Sequence, residues 1–144
     1  NVFDLLEMKA DKKKITLAFE NDHIQPIFVN GDKDKIQQVL TNLVMNSIKY
    51  GKENGTTEIA VEKISKTKIL VRIHDNGQGI EQQHISRIFE RFYRINKSGS
   101  REEGGSGLGL AIVKHIIEAH QQTIHVRSTE GMGTTFVFTL DAAE

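Results

Sequence analysis

Apolar residues recur at two spacings along this chain, and each change of spacing marks the edge of an element. After Asp32, a helix-capping residue by type, Ile36, Val39, Leu40, Leu43, Val44 and Ile48 recur every three or four positions, which predicts a long helix to about Tyr50. The same period predicts helices over Glu81–Phe89 and Leu108–Ala119, the latter stacking Leu110, Val113 and Ile117 on one face. Alternation of apolar and polar residues predicts strands at Ile15–Phe19, Glu58–Ile64, Lys68–His74, Thr123–Arg127 and Thr134–Leu140. Ser65-Lys66-Thr67 joins the second and third as a hairpin, and Glu130-Gly131-Met132-Gly133 joins the last two. Pro26, the only proline, precedes a short extended run at Ile27–Val29, and Asn1–Lys13 suits a short helix or solvated connector leaving a preceding element.

Length and charge narrow the possibilities. At 144 residues the chain is expected to form one domain around a single core. Its 19 basic and 19 acidic residues balance, so no global field recruits nucleic acid or an anionic membrane, and any anion must be held by local geometry. The absence of cysteine removes disulfides, thiol catalysis and zinc–cysteine sites. No run approaches 18 apolar residues, and the start at Asn1 rather than Met is expected of a piece of a longer protein.

Three stretches carry candidate chemistry. Gly104-Gly105-Ser106-Gly107-Leu108-Gly109 runs straight into the helix ending near Ala119, which suits a phosphate loop: glycines let backbone N–H groups approach an anion, and the helix points its positive end there. A glycine linker before an ordinary helix is the plain alternative. On the long helix Asn42, Asn46, Lys49 and Tyr50 fall within roughly a 100° arc, a polar stripe beside the apolar one. Asparagine is a poor helix former, so this stripe suggests side chains recruited for a ligand, against the alternative of a solvated face. Asp75-Asn76-Gly77-Gln78-Gly79-Ile80 places a carboxylate and a close-approach backbone at a strand end. Between the dense Glu90-Arg91-Phe92-Tyr93-Arg94 cluster and the glycine loop, Ile95–Glu103 is polar without either period and reads as a flap.

In order and spacing these stretches resemble the catalytic and ATP-binding domain of bacterial sensor histidine kinases, over nearly the whole chain. Asn42-Leu43-x-x-Asn46-Ser47-x-Lys49-Tyr50 is similar to that family's N box, and Asp75-x-Gly77-x-Gly79-Ile80 to its first glycine box. Ile88 to Arg94 resembles the F box, Gly105-x-Gly107-Leu108-Gly109-Leu110-Ala111-Ile112 the second glycine box, and Gly131-x-Gly133-Thr134 the terminal glycine turn.

The resemblance implies a two-layer α/β sandwich of the Bergerat type, with a mixed, mainly antiparallel five-stranded sheet and three main helices on one face. It implies ATP and Mg²⁺ as ligands, with Asp75 accepting a hydrogen bond from the adenine amino group, Tyr50 near the base, and Gly77, Gly79, Ile80 and Thr134 lining the same site. Asn46 would ligate Mg²⁺ with Asn42 in support, Lys49 would reach the phosphates, and Arg94, with Arg91 as second candidate, would neutralise charge on the transferring group. Residues 95–106 would be an ATP lid, with Gly105, Gly107, Leu108 and Gly109 holding the phosphate tail. Residues 1–13 would lead from a dimerisation domain carrying the phosphoacceptor histidine, since none of the six histidines here is followed by the expected acidic residue and proline. The implied partners are that domain and, indirectly, a response regulator, with no nucleic acid; the parent would be a membrane-anchored homodimer, and this a monomeric cytoplasmic domain.

Two departures stand out. His120-Gln121-Gln122 replaces the family's usual His-Gly-Gly, so a tight turn must be made without glycine, and Ser47 replaces the commoner alanine, a change expected to be harmless. Two other functions compete with the kinase reading. Clamp ATPases of the gyrase and heat-shock kind carry a water-activating glutamate where this chain has Asn42, which cannot act as a base. A degenerate nucleotide-docking module conflicts with intact boxes.

Overall fold

The computed structural model describes residues 15–21, 29–93 and 108–142; the expected connector 1–13 and lid 95–106 lie outside them. The described elements are strands β1 (Thr16–Asn21) and β2 (Val29–Asn30), helix α1 (Lys33–Tyr50), strands β3 (Thr56–Lys63) and β4 (Lys68–Asp75), helices α2 (Gln82–Ile85) and α3 (Gly109–Ala119), and strands β5 (Ile124–Thr129) and β6 (Gly133–Ala142). They form an α/β fold on one sheet, ordered β1-β3-β4-β6, whose β6 edge is shared by β5 and β2. The β1–β3 pair is parallel and every other pair antiparallel, as expected. The sheet holds six strands rather than five, because Val29 and Asn30 pair with Ala142 and Asp141.

One face of the sheet is apolar because the two-residue period of β3, β4 and β6 stays in register across them. Ile59 faces Ile73, which faces Phe136; Val61 faces Val71, which faces Phe138; Ile69 faces Leu140. Val39, Leu43, Val44 and Ile48 of α1 join these in a single core, as do Val113, Ile116 and Ile117 of α3. Each such fully buried side chain contributes about 1.5–3 kcal/mol. Helices α1 and α3 pack on each other, α1 meets β3 and β4, and α2 meets β5. Helix α1 starts where predicted, its Asp32 side chain accepting from the Lys35 amide at 3.1 Å.

The middle helix is shorter than its sequence suggests. Only Gln82–Ile85 is helical, with no side-chain cap at Glu81. The chain then proceeds through turns in which the amides of Arg87, Glu90 and Tyr93 each bond the carbonyl three residues back. Ile85 and Ile88 are three apart, a spacing that suits either an α-helix or such tighter turns.

The turn after α3 closes without glycine. Gln121 adopts a left-handed φ of 62°, while the Gln122 amide bonds the Ile117 carbonyl and the Gln121 amide that of Glu118, a Schellman ending with glutamine where glycine is usual. The buried Gln122 side chain staples this turn to the far end of the sheet: its Oε1 accepts from Lys68 Nζ at 3.0 Å and Thr139 Oγ1 at 2.8 Å, and its Nε2 donates to Asp141 Oδ1 at 3.1 Å. His120 Nε2 accepts from the Asp32 amide at 3.1 Å and Nδ1 meets the Ile116 carbonyl at 2.8 Å, so the neutral ring carries its hydrogen on Nδ1 and ties the end of α3 to the start of α1.

Candidate functional site

At one end of the apolar sheet face the pattern turns polar. Thr57 of β3 lies opposite Asp75 of β4, and Asp75 opposite Thr134 of β6. All three share the parity of the core rows, so the alternation that buries Ile73 and Phe136 also buries them. Asp75 is 4% exposed, and burial pushes its carboxyl above the usual carboxylate range. Four influences oppose that rise: the Gly77 amide, which donates to Oδ1 at 2.9 Å, the neighbouring His74 ring, the Ser47 hydroxyl and the Thr134 backbone.

Glycines let three segments converge around this carboxyl. A Cβ at Gly77 would lie within 2.8 Å of Gly51 Cα and clash with the Tyr50 carbonyl, so the loop after β4 can seat itself on the end of α1 only as glycine. The Gln78 amide then bonds the Tyr50 carbonyl at 3.3 Å. Gly133, with φ 141°, abuts the Asp75 carbonyl, where any side chain would collide. On the β5–β6 side the Gly131 amide donates to the Gln78 carbonyl at 2.7 Å, and the Ile80 amide to Ser128 Oγ at 2.6 Å. Ser128 Oγ in turn donates to the Gly133 carbonyl or exchanges a bond with Thr134 Oγ1, each at 2.8 Å.

Asp75, Gly77, Gly79, Ile80, Thr134 and the end of α1 at Tyr50 are thus brought together. Along α1, Asn42, Asn46, Lys49 and Tyr50 are half-buried, Lys49 Nζ lies 5.1 Å from the Tyr50 ring centroid, and Asn42 Nδ2 donates to the Gly109 carbonyl at 3.4 Å. That bond brings the polar stripe of α1 against the first turn of α3, beside Leu108. Arg91 is exposed in the turns after α2. Arg94, Gly105 and Gly107 lie outside the described residues. Among the described residues no group of three or more His, Cys, Asp or Glu could hold a metal, and no helix is long and apolar enough to cross a membrane.

Sequence reasoning missed three hydroxyls. Ser47, expected to be harmless, is 1% exposed and its Oγ lies 2.6 Å from Thr57 Oγ1, so it is engaged at the base of the site. Thr57 and Ser128 escape notice in the sequence because the predicted strands begin one residue after the first and stop one residue before the second. The signal that could have found them is their parity with the core positions.

Comparison with known proteins agrees with this architecture. A family model described as "Histidine kinase-, DNA gyrase B-, and HSP90-like ATPase" matches residues 31–144, and the chain belongs to this family. The sensor histidine kinase WalK of Bacillus subtilis is 40% identical over 119 residues, covering 82% of this chain and 20% of that protein. The chain therefore spans about a fifth of the length of such curated relatives, which are sensor histidine kinases. Among solved structures, the nucleotide-free catalytic domain of histidine kinase ThkA superposes with a TM-score of 0.81 at 33% identity, over 97% of this chain and 87% of that one. Histidine kinase ThkA in complex with response regulator protein TrrA gives 0.78 at 31% identity, over 99% of this chain and 38% of that one.

Proposed function

We propose that this chain is the ATP-binding, phosphoryl-donating domain of a sensor histidine kinase. The observation that carries this reading is the buried Asp75 carboxyl, held by Gly77, Ser47 and Thr134 between the end of α1 and two glycine turns. An ionised carboxylate is an acceptor only, so toward a ligand it selects a base bearing an amino group, with Tyr50 and Ile80 as neighbours of the ring. In the two-layer sandwich of this reading, ATP lies between α1, the Asp75 loop and the lid of residues 95–106. Its phosphates run toward Lys49, the amides of Leu108 and Gly109, and Gly105 and Gly107 of the lid's end.

Mg²⁺ fits the residues present. The half-buried Asn46 offers one hard carbonyl oxygen on the polar stripe, and a lone protein oxygen beside phosphates and water is how this ion is commonly bound. When bound, the ion neutralises phosphate charge. Asn42 supports Asn46 from one turn earlier through its bond to Gly109. Arg94, with Arg91 as the alternative, offsets negative charge on the γ-phosphoryl group in transfer. No base is present where clamp ATPases carry glutamate: Asn42 is an amide that donates to a main-chain carbonyl. The acceptor is accordingly a histidine on a separate dimerisation domain, from which a response regulator takes the group. By the same reading residues 1–13 lead from that domain in a homodimeric, membrane-anchored parent, with this single domain on the cytoplasmic side.

The test is reconstitution. With Mg-ATP and the histidine-bearing domain of the same parent added as a separate chain, the domain should yield a phosphohistidine, labile in acid and stable in base, with ADP released in equal amount. Asn46→Ala should abolish labelling. No label on any histidine partner despite tight ATP binding would overturn the kinase reading.

A further inference from the structure

One half-buried hydroxyl joins the glycine loop after Asp75 to the strand that lies across from it. Ser128, on β5, accepts from the Ile80 amide at 2.6 Å and stands 2.8 Å from both the Gly133 carbonyl and Thr134 Oγ1 on β6. Only one placement of hydrogens makes all three bonds. The amide can only donate and the carbonyl can only accept, so Ser128 gives its hydrogen to Gly133 and takes that of Thr134. The residues it links are buried, Ile80 at 4% and Thr134 at 5% exposure, and Thr134 pairs with Asp75 across the sheet. Main-chain contacts hold the loop only up to Ile80. Gly79, at φ 74°, rests on the Thr129 main chain, and the Gly131 amide bonds the Gln78 carbonyl. Among the described residues the Ile80 amide has no partner other than Ser128.

Resting on the reading that Asp75 meets the purine base, we infer that Ser128 is a positioning residue for the base pocket: its hydroxyl clasps the glycine loop at Ile80 to the β6 wall at Thr134, and so sets where these two walls stand beside Asp75. The hydroxyl acts through both neighbours at once. Without it the Ile80 amide is left unpaired, and an unpaired donor at a buried residue costs more than the bond it has lost, so the loop moves to find another acceptor. Thr134 loses its acceptor in the same step, and its side chain is free to turn. The consequence is confined to the base end of the site. Among the described residues Ser128 bonds only Ile80, Gln82 and β6, whereas the phosphates of the proposed pose run toward α1 and α3. Ligands with the same base therefore share one loss, whatever their number of phosphates. A serine that served stability alone would lower the melting temperature and leave the affinity of the folded chain unchanged.

The experiment uses the intact chain in two readouts. Dissociation constants for adenosine, ADP and ATP are measured at a temperature where melts show each variant folded; in nucleotide-free protein, NMR follows hydrogen exchange of the Ile80 amide. Ser128→Ala should weaken all three ligands by one common factor, roughly fivefold or more, and speed exchange at Ile80. Ser128→Thr keeps the hydroxyl on a residue that strands favour, and should restore both. Because the clasp works partly through Thr134, Ser128→Ala should cost less affinity in a Thr134→Val background than in the parent chain. If the alanine variant does not fold, Ser128→Cys, with its weakly bonding thiol, serves in its place with the same expected losses. Parental affinity in the folded variant would overturn the inference, as would a loss that grows from adenosine to ATP, or losses at positions 128 and 134 that add. Failure of the underlying reading is told apart by Asp75→Asn: if it binds ATP like the parent chain, base recognition lies elsewhere, whatever Ser128 does to Ile80.

Discussion

Asp75 sets stability against function. Burial raises its carboxyl above the ordinary value of 3.8, so over the window just above that value the folded chain holds a proton that the unfolded chain has released. Stability contributed by this group is therefore present at low pH and falls as pH rises through that window, and at neutral pH the buried charge is a net cost. Asp75→Asn should leave the melting temperature at pH 7 unchanged or higher, with the gap to the parent closing as pH falls through the window. Its affinity for ATP should nonetheless drop at least several-fold, since an amide now meets the adenine amino group at about 1–3 kcal/mol. Thermal melts at pH 7 and below, paired with calorimetry, check both halves; a less stable variant with an unchanged dissociation constant would contradict them. Asp75 itself was legible because an aspartate that ends an alternating run just before Gly-x-Gly is placed by its strand at the lip of the sheet. Ser47, Thr57 and Ser128 were not, since a hydroxyl's role here depends on which residue lies across the sheet, and a boundary error of one residue removes it from view.

Among elements, α1, α3 and the hairpin strands were legible because their periods run long enough to exclude the alternative. The stretch after Glu81 was not, because short apolar spacing does not distinguish four-residue from three-residue hydrogen bonding, and only the carbonyl each amide chooses decides it. The α3–β5 turn was legible only as a doubt, and the left-handed Gln121 resolves it. A side chain at that φ is disfavoured relative to glycine, so Gln121→Gly should stabilise the chain by about 1 kcal/mol, readable as a higher urea midpoint with an unchanged slope. Gly133→Ala is the opposite case. Its φ of 141° is open to glycine alone, and a methyl there collides with the Asp75 main chain. A loss of about 2 kcal/mol or more is expected, together with weaker ATP binding because Asp75 must shift. A fully stable Gly133→Ala that binds normally would mean that this turn does not set the position of Asp75.

For the whole molecule, the proposed kinase reading assigns this chain only part of the chemistry. Phosphoryl transfer needs a nucleophile in line, a metal and a charge clamp; Asn46, Lys49 and Arg94 are proposed for the latter two, while the position where related ATPases activate water is Asn42. The isolated chain should therefore bind Mg-ATP and hydrolyse it far below the roughly 1 per second of a working enzyme. Asn42→Glu puts a carboxylate at that position, at the expense of the 3.4 Å bond to the Gly109 carbonyl. The bond is long and exposed, so its loss should cost about 1 kcal/mol or less and leave the fold intact. If geometry along α1 is shared with the clamp ATPases, phosphate release by Asn42→Glu should rise at least tenfold over the parent chain, while transfer to a histidine partner falls as water competes for the same phosphoryl group. A steady-state phosphate assay beside the phosphohistidine label measures both. Unchanged hydrolysis in a folded, ATP-binding variant would show that a carboxylate at position 42 does not reach the attacking water, and that kinase and ATPase members differ in more than this one residue.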